Sequence, residues 1–290
     1  MHADEVDTDE DLVRGLLARQ HPQWSDLPIE RVPSAGTDNA LYRLGDDLAV
    51  RLPRIHWAVD HVAKEQEWLP VLAPHLPLPV PLPLAAGAAD DTFPYPWGVV
   101  EWLPGAMASL DQLDDPVDAA LELADFVLAL RALDATKGPR HPRGRPIRLG
   151  DETVRAGIAQ LDGDLDTDAL HAAWSRAIDA PDHDGPPTWF HGDLAHLNLL
   201  AQDGRLSAVI DWGTMGVGDP AIDTIVAWNL FPPDARDVYR EALGVTDPEW
   251  ERGKGWVITG IFGILSYTET NPVLATNQRK AIDAVLADRS

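Results

Sequence analysis

No cysteine occurs among the 290 residues. That excludes disulfides, thiolate metal sites and a cysteine nucleophile. Nor is there an apolar run of about 18 residues, the length a membrane-crossing helix requires. The longest candidate, Trp256 to Leu265, is short and broken by Gly260 and Gly263. Basic residues are scarce: 23 Lys and Arg stand against 47 Asp and Glu, a net charge of −24 at pH 7. A surface this acidic repels nucleic acid and anionic membrane and draws in cations. Two readings stay open, the steering of a polycationic partner and a generally acidic surface with no acidic pocket. The start of the chain carries Asp4, Glu5, Asp7, Asp9, Glu10 and Asp11, the opposite of the basic start of a secretory leader. The expected setting is therefore the cytoplasm, with neither nucleic acid nor membrane as partner, and a monomer is expected.

What is present divides into a strand-rich and a helix-rich half, and the length suits two lobes better than one core. Thr8 to Gln20 reads as an amphipathic helix capped by Thr8, with Leu12, Val13, Leu16 and Leu17 at helical spacing. Strands are expected at about Ile29 to Pro33, Ala40 to Leu44 and Leu48 to Leu52, the first two joined by Ser34-Ala35-Gly36-Thr37-Asp38-Asn39. Small residues in such a loop let a backbone approach phosphates, and Ser and Thr donate hydrogen bonds; an ordinary hairpin turn would look the same. A helix from about Trp57 to Ala73 carries Lys64, Glu65 and Glu67. Pro74 to Pro83 reads as an extended connector. Tyr95 to Gly105 reads as a buried strand ending in a Pro-Gly break.

In the second half, Pro116 to Leu133 has little polar face and reads as a central core helix. Lys137 to Arg148 is basic, rich in Gly and Pro, and expected to be an exposed loop. Helices are expected near Thr153–Leu161 and Thr167–Ala180. Asp219-Pro220, Asp247-Pro248 and Asn271-Pro272 read as helix starts, with a capping side chain followed by Pro at the first helical position.

The most informative segment runs from His191-Gly192-Asp193 through Asn198 to Ile210-Asp211-Trp212. An aspartate, an asparagine five residues on and a second aspartate thirteen beyond that are the parts of a phosphoryl-transfer site. The first accepts a hydroxyl proton; the other two hold Mg²⁺ on nucleotide phosphates. Asp203-Gly204 signals a two-residue hairpin turn between strands at Asn198 to Ala201 and Leu206 to Trp212. With that turn Asn198 faces Val209, and Asp211 lies two residues on along the same face. Cross-strand diagonals are roughly 7–8 Å or less apart, close enough to share hard cations, which take one or two carboxylates plus phosphate oxygens. His191 reads as a buried structural histidine bonded to backbone.

This motif, together with Gly218-Asp219-Pro220-Ala221-Ile222-Asp223, resembles the aminoglycoside phosphotransferase family of antibiotic and small-molecule kinases. The resemblance covers nearly the whole chain. It implies an α+β, two-lobed protein-kinase-like fold, with a small N-terminal antiparallel sheet lobe over residues 1–103 that binds nucleotide. A larger, mainly helical lobe over residues 104–290 would carry catalysis and the acceptor. By the match Asp193 is the catalytic base and Asn198 and Asp211 are the Mg²⁺ ligands, while Asp219 and Asp223 are structural acids. Ser34, Gly36 and Thr37 fall in the nucleotide-flanking loop, and the backbone around Glu101 and Leu103 meets the adenine ring. Arg51 stands where a Lys is usual, with Glu65 as its partner; Arg is a wider, planar donor and no simple replacement. A second departure is Ala195-His196-Leu197, where relatives often have His-Pro-Gly. His196, Tyr267 and Glu269 are the acceptor-side candidates. The implied co-substrate is ATP or GTP with Mg²⁺. The implied acceptor is a small and cationic molecule, such as an aminoglycoside or basic cyclic peptide; a macrolide, a metabolite (sugar, choline, homoserine) or a catalytically silent ligand-binding role are the alternatives.

Overall fold

A computed structural model describes residues 5–33, 38–161 and 165–288. The chain forms two compact units. One runs to Pro74 and resumes over Pro79–Pro104; the other takes His75–Leu78 and everything from Gly105.

The first unit contains α1 (Glu10–Gln20), β1 (Ile29–Arg31), β2 (Asn39–Leu44), β3 (Leu48–Pro53), α2 (Val59–Leu72), β4 (Pro83–Gly87) and β5 (Trp97–Glu101). Its five strands form one antiparallel sheet in the order β1-β2-β3-β5-β4. Strand β2 alternates as its sequence suggests: Ala40, Tyr42 and Leu44 are buried, against Val13, Leu16 and Leu17 of α1 and Trp97 and Val99 of β5. The cap of α1 lies one residue later than expected. The Asp9 carboxylate accepts from Leu12 N at 2.8 Å, because the Thr8 hydroxyl is turned inward to accept the Tyr42 O–H at 2.9 Å. A buried phenol takes a partner before a helix end does, since the helix end has water or an acid available.

The second unit contains β6 (Ala106–Met107), α3 (Pro116–Arg131), α4 (Asp151–Ile158), α5 (Thr167–Asp179), β7 (Thr188–Phe190), β8 (Leu199–Gln202), β9 (Arg205–Val209) and β10 (Gly216–Gly218). It continues with α6 (Val226–Asn229), α7 (Pro233–Leu243), α8 (Asp247–Ile258), α9 (Ile261–Tyr267) and α10 (Pro272–Ala287). Helix α3 starts at an Asp115 cap, with Pro116 in its first turn, and buries seven side chains, from Ala119 to Leu130, against α7 and the strands. Asn271 caps α10, as read from the sequence; α8 is capped by Thr246, one residue before the aspartate expected to open it. Asp219 caps not an α-helix but a 3-10 helix over Pro220–Ile225.

That short turn is where the helices converge. Arg252 of α8 holds both oxygens of Asp219, at 2.7 and 3.1 Å. Arg131 of α3 donates to the Pro220 carbonyl at 3.0 Å, and the Tyr239 hydroxyl of α7 donates to the Asp223 carbonyl at 3.1 Å. Arg252 and Asp219 are each about 5% exposed, so removing one partner strands a buried charge. Arg252→Met is expected to cost about 3–5 kcal/mol, read as a lower urea midpoint with an unchanged m-value.

Candidate active site

The loop after β7 is held by one carboxylate. Both oxygens of Asp223, fully buried, accept backbone N–H groups, from His191 and Gly192, each at 2.8 Å. Burial pushes the Asp223 carboxyl up, and those two donors oppose the shift. Gly192 has φ +86°, and a Cβ there would stand 2.6 Å from the Thr214 carbonyl oxygen, so only glycine fits. His191 is structural, as its position after Trp189-Phe190 suggests. It is fully buried, its Nδ1 accepts the Asp193 N–H at 3.2 Å, and its Nε2 donates to the Ile210 carbonyl at 3.0 Å. The Trp212 ring meets it edge-on at 4.8 Å.

This scaffold presents Asp193, whose side chain is 40% exposed. Its Oδ1 accepts from Arg143 Nη1 at 2.6 Å and its Oδ2 from Asn198 Nδ2 at 3.1 Å. Burial raises the carboxyl; Arg143 and Asn198 outweigh it, and the net value lies below the ordinary aspartate range. Asn198 Nδ2 also donates to the Asp193 carbonyl at 2.8 Å. With its amide nitrogen committed to Asp193, Asn198 offers its oxygen as a ligand atom.

The hairpin turns at Asp203-Gly204 as read from the sequence, but its register differs from the expected one. Gln202 pairs with Arg205 and Ala201 with Leu206; then Leu200 pairs with Ala208 and Leu199 with Val209. A bulge at Ser207 puts one extra residue in β9. Asn198 therefore faces not Val209 but Ile210, whose N–H donates to the Asn198 carbonyl at 2.9 Å. Asn198 closes a 3-10 turn rather than opening the strand, and the return strand stops at Val209, short of Trp212. Asp211 follows Ile210 directly, exposed, at φ 61° and ψ 71°. A non-glycine residue in the left-handed region carries a cost of order 1–3 kcal/mol and marks a functional candidate. Trp212 beside it is fully buried against Phe126 of α3, which fixes where Asp211 leaves the core. Among the described residues no three His, Cys, Asp or Glu gather as a metal cluster. Asn198 and Asp211 suit a cation that completes its shell with phosphate oxygens and water, as Mg²⁺ does.

In the first unit, Arg51 of β3 and Glu65 of α2 form a buried ion pair, with Nη1 at 2.6 and 2.5 Å from the two carboxylate oxygens. Glu101 ends β5 and spends its N–H on the Leu82 carbonyl at 2.9 Å. Leu103 follows it outside any strand. Ser34, Gly36 and Thr37 lie outside the described residues. His196 sits half-buried in the turn that leads to Asn198. Burial lowers its pKa, and the positive charge of Lys280 on α10 adds to this. Tyr267 ends α9 and Glu269 lies exposed beyond it. Trp228 and Trp250 belong to the core, with ring centroids 4.4 Å apart.

Arg143 is the residue that sequence reasoning missed. It lies in the basic stretch read as an exposed loop, and is only half-exposed. Nothing in the local pattern points from it to a carboxylate fifty positions away.

Comparison with known proteins agrees with this layout. The model of the phosphotransferase enzyme family matches residues 30–256, well over half the chain. No curated protein sequence matches. Among solved structures, the GDP and kanamycin complex of APH(2")-IIia superposes with a TM-score of 0.76 at 19% identity, covering 96% of this chain and 99% of that one. ADP-bound aminoglycoside phosphotransferase APH(2'')-Ib gives 0.63 at 16% identity, covering 96% of this chain and 98% of that one. The macrolide 2'-phosphotransferase MphH from Brachybacterium faecium gives 0.60 at 23%, covering 97% and 99%. At such identities the likeness is one of fold, and the small antiparallel sheet unit with a larger helical one is the arrangement they share. By its family match, the chain belongs to the phosphotransferase enzyme family.

Proposed function

We infer that the chain transfers the γ-phosphoryl group of ATP or GTP to a hydroxyl of a small molecule, with an antibiotic as the leading acceptor. The observation that carries the reading is the Asp193 carboxylate, held ionised and aimed by donors on both oxygens. In the reaction the acceptor oxygen forms a bond to the γ-phosphorus as the bridging β–γ P–O bond breaks. Its electron pair leaves with the nucleoside diphosphate, and the hydroxyl proton passes to Asp193. Mg²⁺ bound by the Asn198 oxygen and the Asp211 carboxylate would supply neutralising charge on the phosphate oxygens. Residues 1–103 are assigned to the nucleotide, on the strength of the Arg51–Glu65 pair, and residues 104–290 to catalysis and acceptor. The names of similar structures, complexes with GDP, ADP and kanamycin, support a nucleotide and an aminoglycoside, and the net charge of −24 suits a polycationic acceptor. Two observations favour a less cationic acceptor, such as a macrolide. Lys280 acts on His196 in the loop of Asp193, and α9 exposes Phe262 and Leu265. Glu269 and Tyr267 remain acceptor-side candidates on this reading.

Nucleotide-diphosphate release from Mg-ATP and Mg-GTP should depend on one acceptor class in a panel of aminoglycosides, tuberactinomycin-type peptides, macrolides and small metabolites. Nucleotide binding without release for every acceptor would favour the silent-binder alternative. Asp193→Asn should lower turnover by about 10²–10⁴-fold with little change in melting temperature; near-normal turnover would refute the assignment. Because the folded-state Asp193 carboxyl lies below its ordinary value, it binds its proton only at more acid pH. The acid limb of kcat/KM due to this group should therefore fall below about 3.9, the ordinary aspartate value.

A further inference from the structure

Five cations and no acid occupy Lys137 to Arg148: Lys137, Arg140, Arg143, Arg145 and Arg148. In a chain of net charge −24 this is the one densely basic stretch, and the structure spends part of it on a construction. Residues 139 to 144 are stitched along β10. Val217 N donates to the Pro139 carbonyl at 2.9 Å, Asp219 N to the Gly144 carbonyl at 3.1 Å, and Arg140 bridges to Val217. Within the turn Gly144 N returns to His141 O at 3.0 Å, and Arg143 N donates to His141 Nδ1 at 3.3 Å. The approach is too close for side chains. A Cβ on Gly144 would collide with the Phe190 ring, and one on Gly216 would lie 2.7 Å from His141 Cβ.

Strand β10 pairs with β7, Gly216 opposite Phe190, and β7 runs directly into His191-Gly192-Asp193. The turn bearing Arg143 and the loop bearing Asp193 are thus mounted on the same two-stranded sheet. From there Arg143 Nη1 donates both to Asp193 Oδ1, at 2.6 Å, and to the Gly192 carbonyl. It holds the carboxylate and the backbone just before it in one grip. Asn198 holds the other oxygen.

We propose that Arg143 is the positioning residue of Asp193, fixing the plane of its carboxylate so that one remaining lone pair faces the acceptor hydroxyl. This rests on the phosphotransferase reading above and deepens it. A guanidinium on one oxygen and an amide on the other leave the carboxylate no rotation about its Cβ–Cγ bond without breaking a charge-assisted hydrogen bond. It also makes Asp193 a weak base and a good aiming device. That is what a loose phosphoryl-transfer transition state asks for, with the hydroxyl proton leaving late, to Asp193. Lys at 143 keeps the charge but puts it on a flexible point-charge ammonium with no planar group to set the direction of its donors, so it fixes the carboxylate less well.

The test uses the full chain and two readouts. The first is ADP or GDP release from Mg-ATP or Mg-GTP, with water as acceptor or with any acceptor found active. Arg143→Ala should lower kcat by about 10²-fold, the cost of a misplaced catalytic group, leave the nucleotide KM within about twofold, and melt close to wild type. Arg143→Lys should fall between, and added guanidinium ion should restore part of the kcat of Arg143→Ala. A merely structural role would instead lower the melting temperature and raise KM, with no rescue. The second readout is independent of turnover: the hydrogen-bonded Nη–H resonance of a rotationally restricted arginine in ¹⁵N–¹H spectra. It should be present in the wild type, vanish in Arg143→Lys, and shift or broaden in Asp193→Ala. Wild-type kcat in Arg143→Ala, or an arginine resonance indifferent to Asp193→Ala, overturns the proposal. No release by the wild type, or full turnover in Asp193→Asn, defeats the phosphotransferase reading instead, while the resonance still decides the clamp.

Discussion

The hydrogen bonds from His191 N–H and Gly192 N–H to the Asp223 carboxylate are the contact on which the rest of the site depends. They place the loop after β7 against a turn that three helices pin down, through Arg252, Arg131 and Tyr239. Leaving either N–H buried without a partner would cost about 1–3 kcal/mol, so the loop conformation is tied to the folding of the helical unit. The left-handed Gly192, the buried His191 and the half-buried Asp193 follow from that attachment. The acid that does this is itself out of reach of any ligand: Asp223 is fully buried. Two aspartates four residues apart, Asp219 and Asp223, thus serve the fold, while the candidate site residues Asp193, half-buried, and Asp211, exposed, reach the surface.

The charge distribution repeats the division. The chain as a whole is strongly acidic, yet three acids at structural or candidate catalytic positions each meet an arginine: Arg51 at Glu65, Arg143 at Asp193, Arg252 at Asp219. Arginine recurs because its planar fork makes more than one directed bond at once. Arg252 uses three nitrogens, on Asp219 and the Pro181 carbonyl. Arg143 divides one nitrogen between the Asp193 carboxylate and the Gly192 carbonyl. A lysine at 252 would supply the charge and leave a neighbour loose.

The order and spacing of Asp193, Asn198 and Asp211, the turn at Asp203-Gly204, strands β1, β2, β3 and β5 of the first unit (though not β4) and the Asn271 cap of α10 were legible in the sequence. Each is written in local chemistry: a hydrogen bond to a near neighbour, an alternation of period two, a dipeptide that accepts positive φ. So was the structural nature of His191, since a histidine flanked by Trp189-Phe190 is destined for the core. What could not be read is what spans distance. Arg143 reaches Asp193 across fifty residues and Asp223 reaches His191 across thirty-two. The pairing of β7 with β10, three residues each and glycine-rich on one side, has no periodic signature at that length. The bulge at Ser207 escaped because register follows the packing of Leu206 and Ala208 into the core and not the turn alone.

By itself, then, the sequence determined which candidate groups for phosphoryl transfer the chain carries, and in what order, because those are properties of residue type and spacing. Tertiary structure decided which carboxylates reach the surface and which are consumed as struts, and which guanidinium attends which acid. Those choices are made by burial and by contacts between segments far apart in the chain, where a single residue's identity says little until its neighbours in space are fixed.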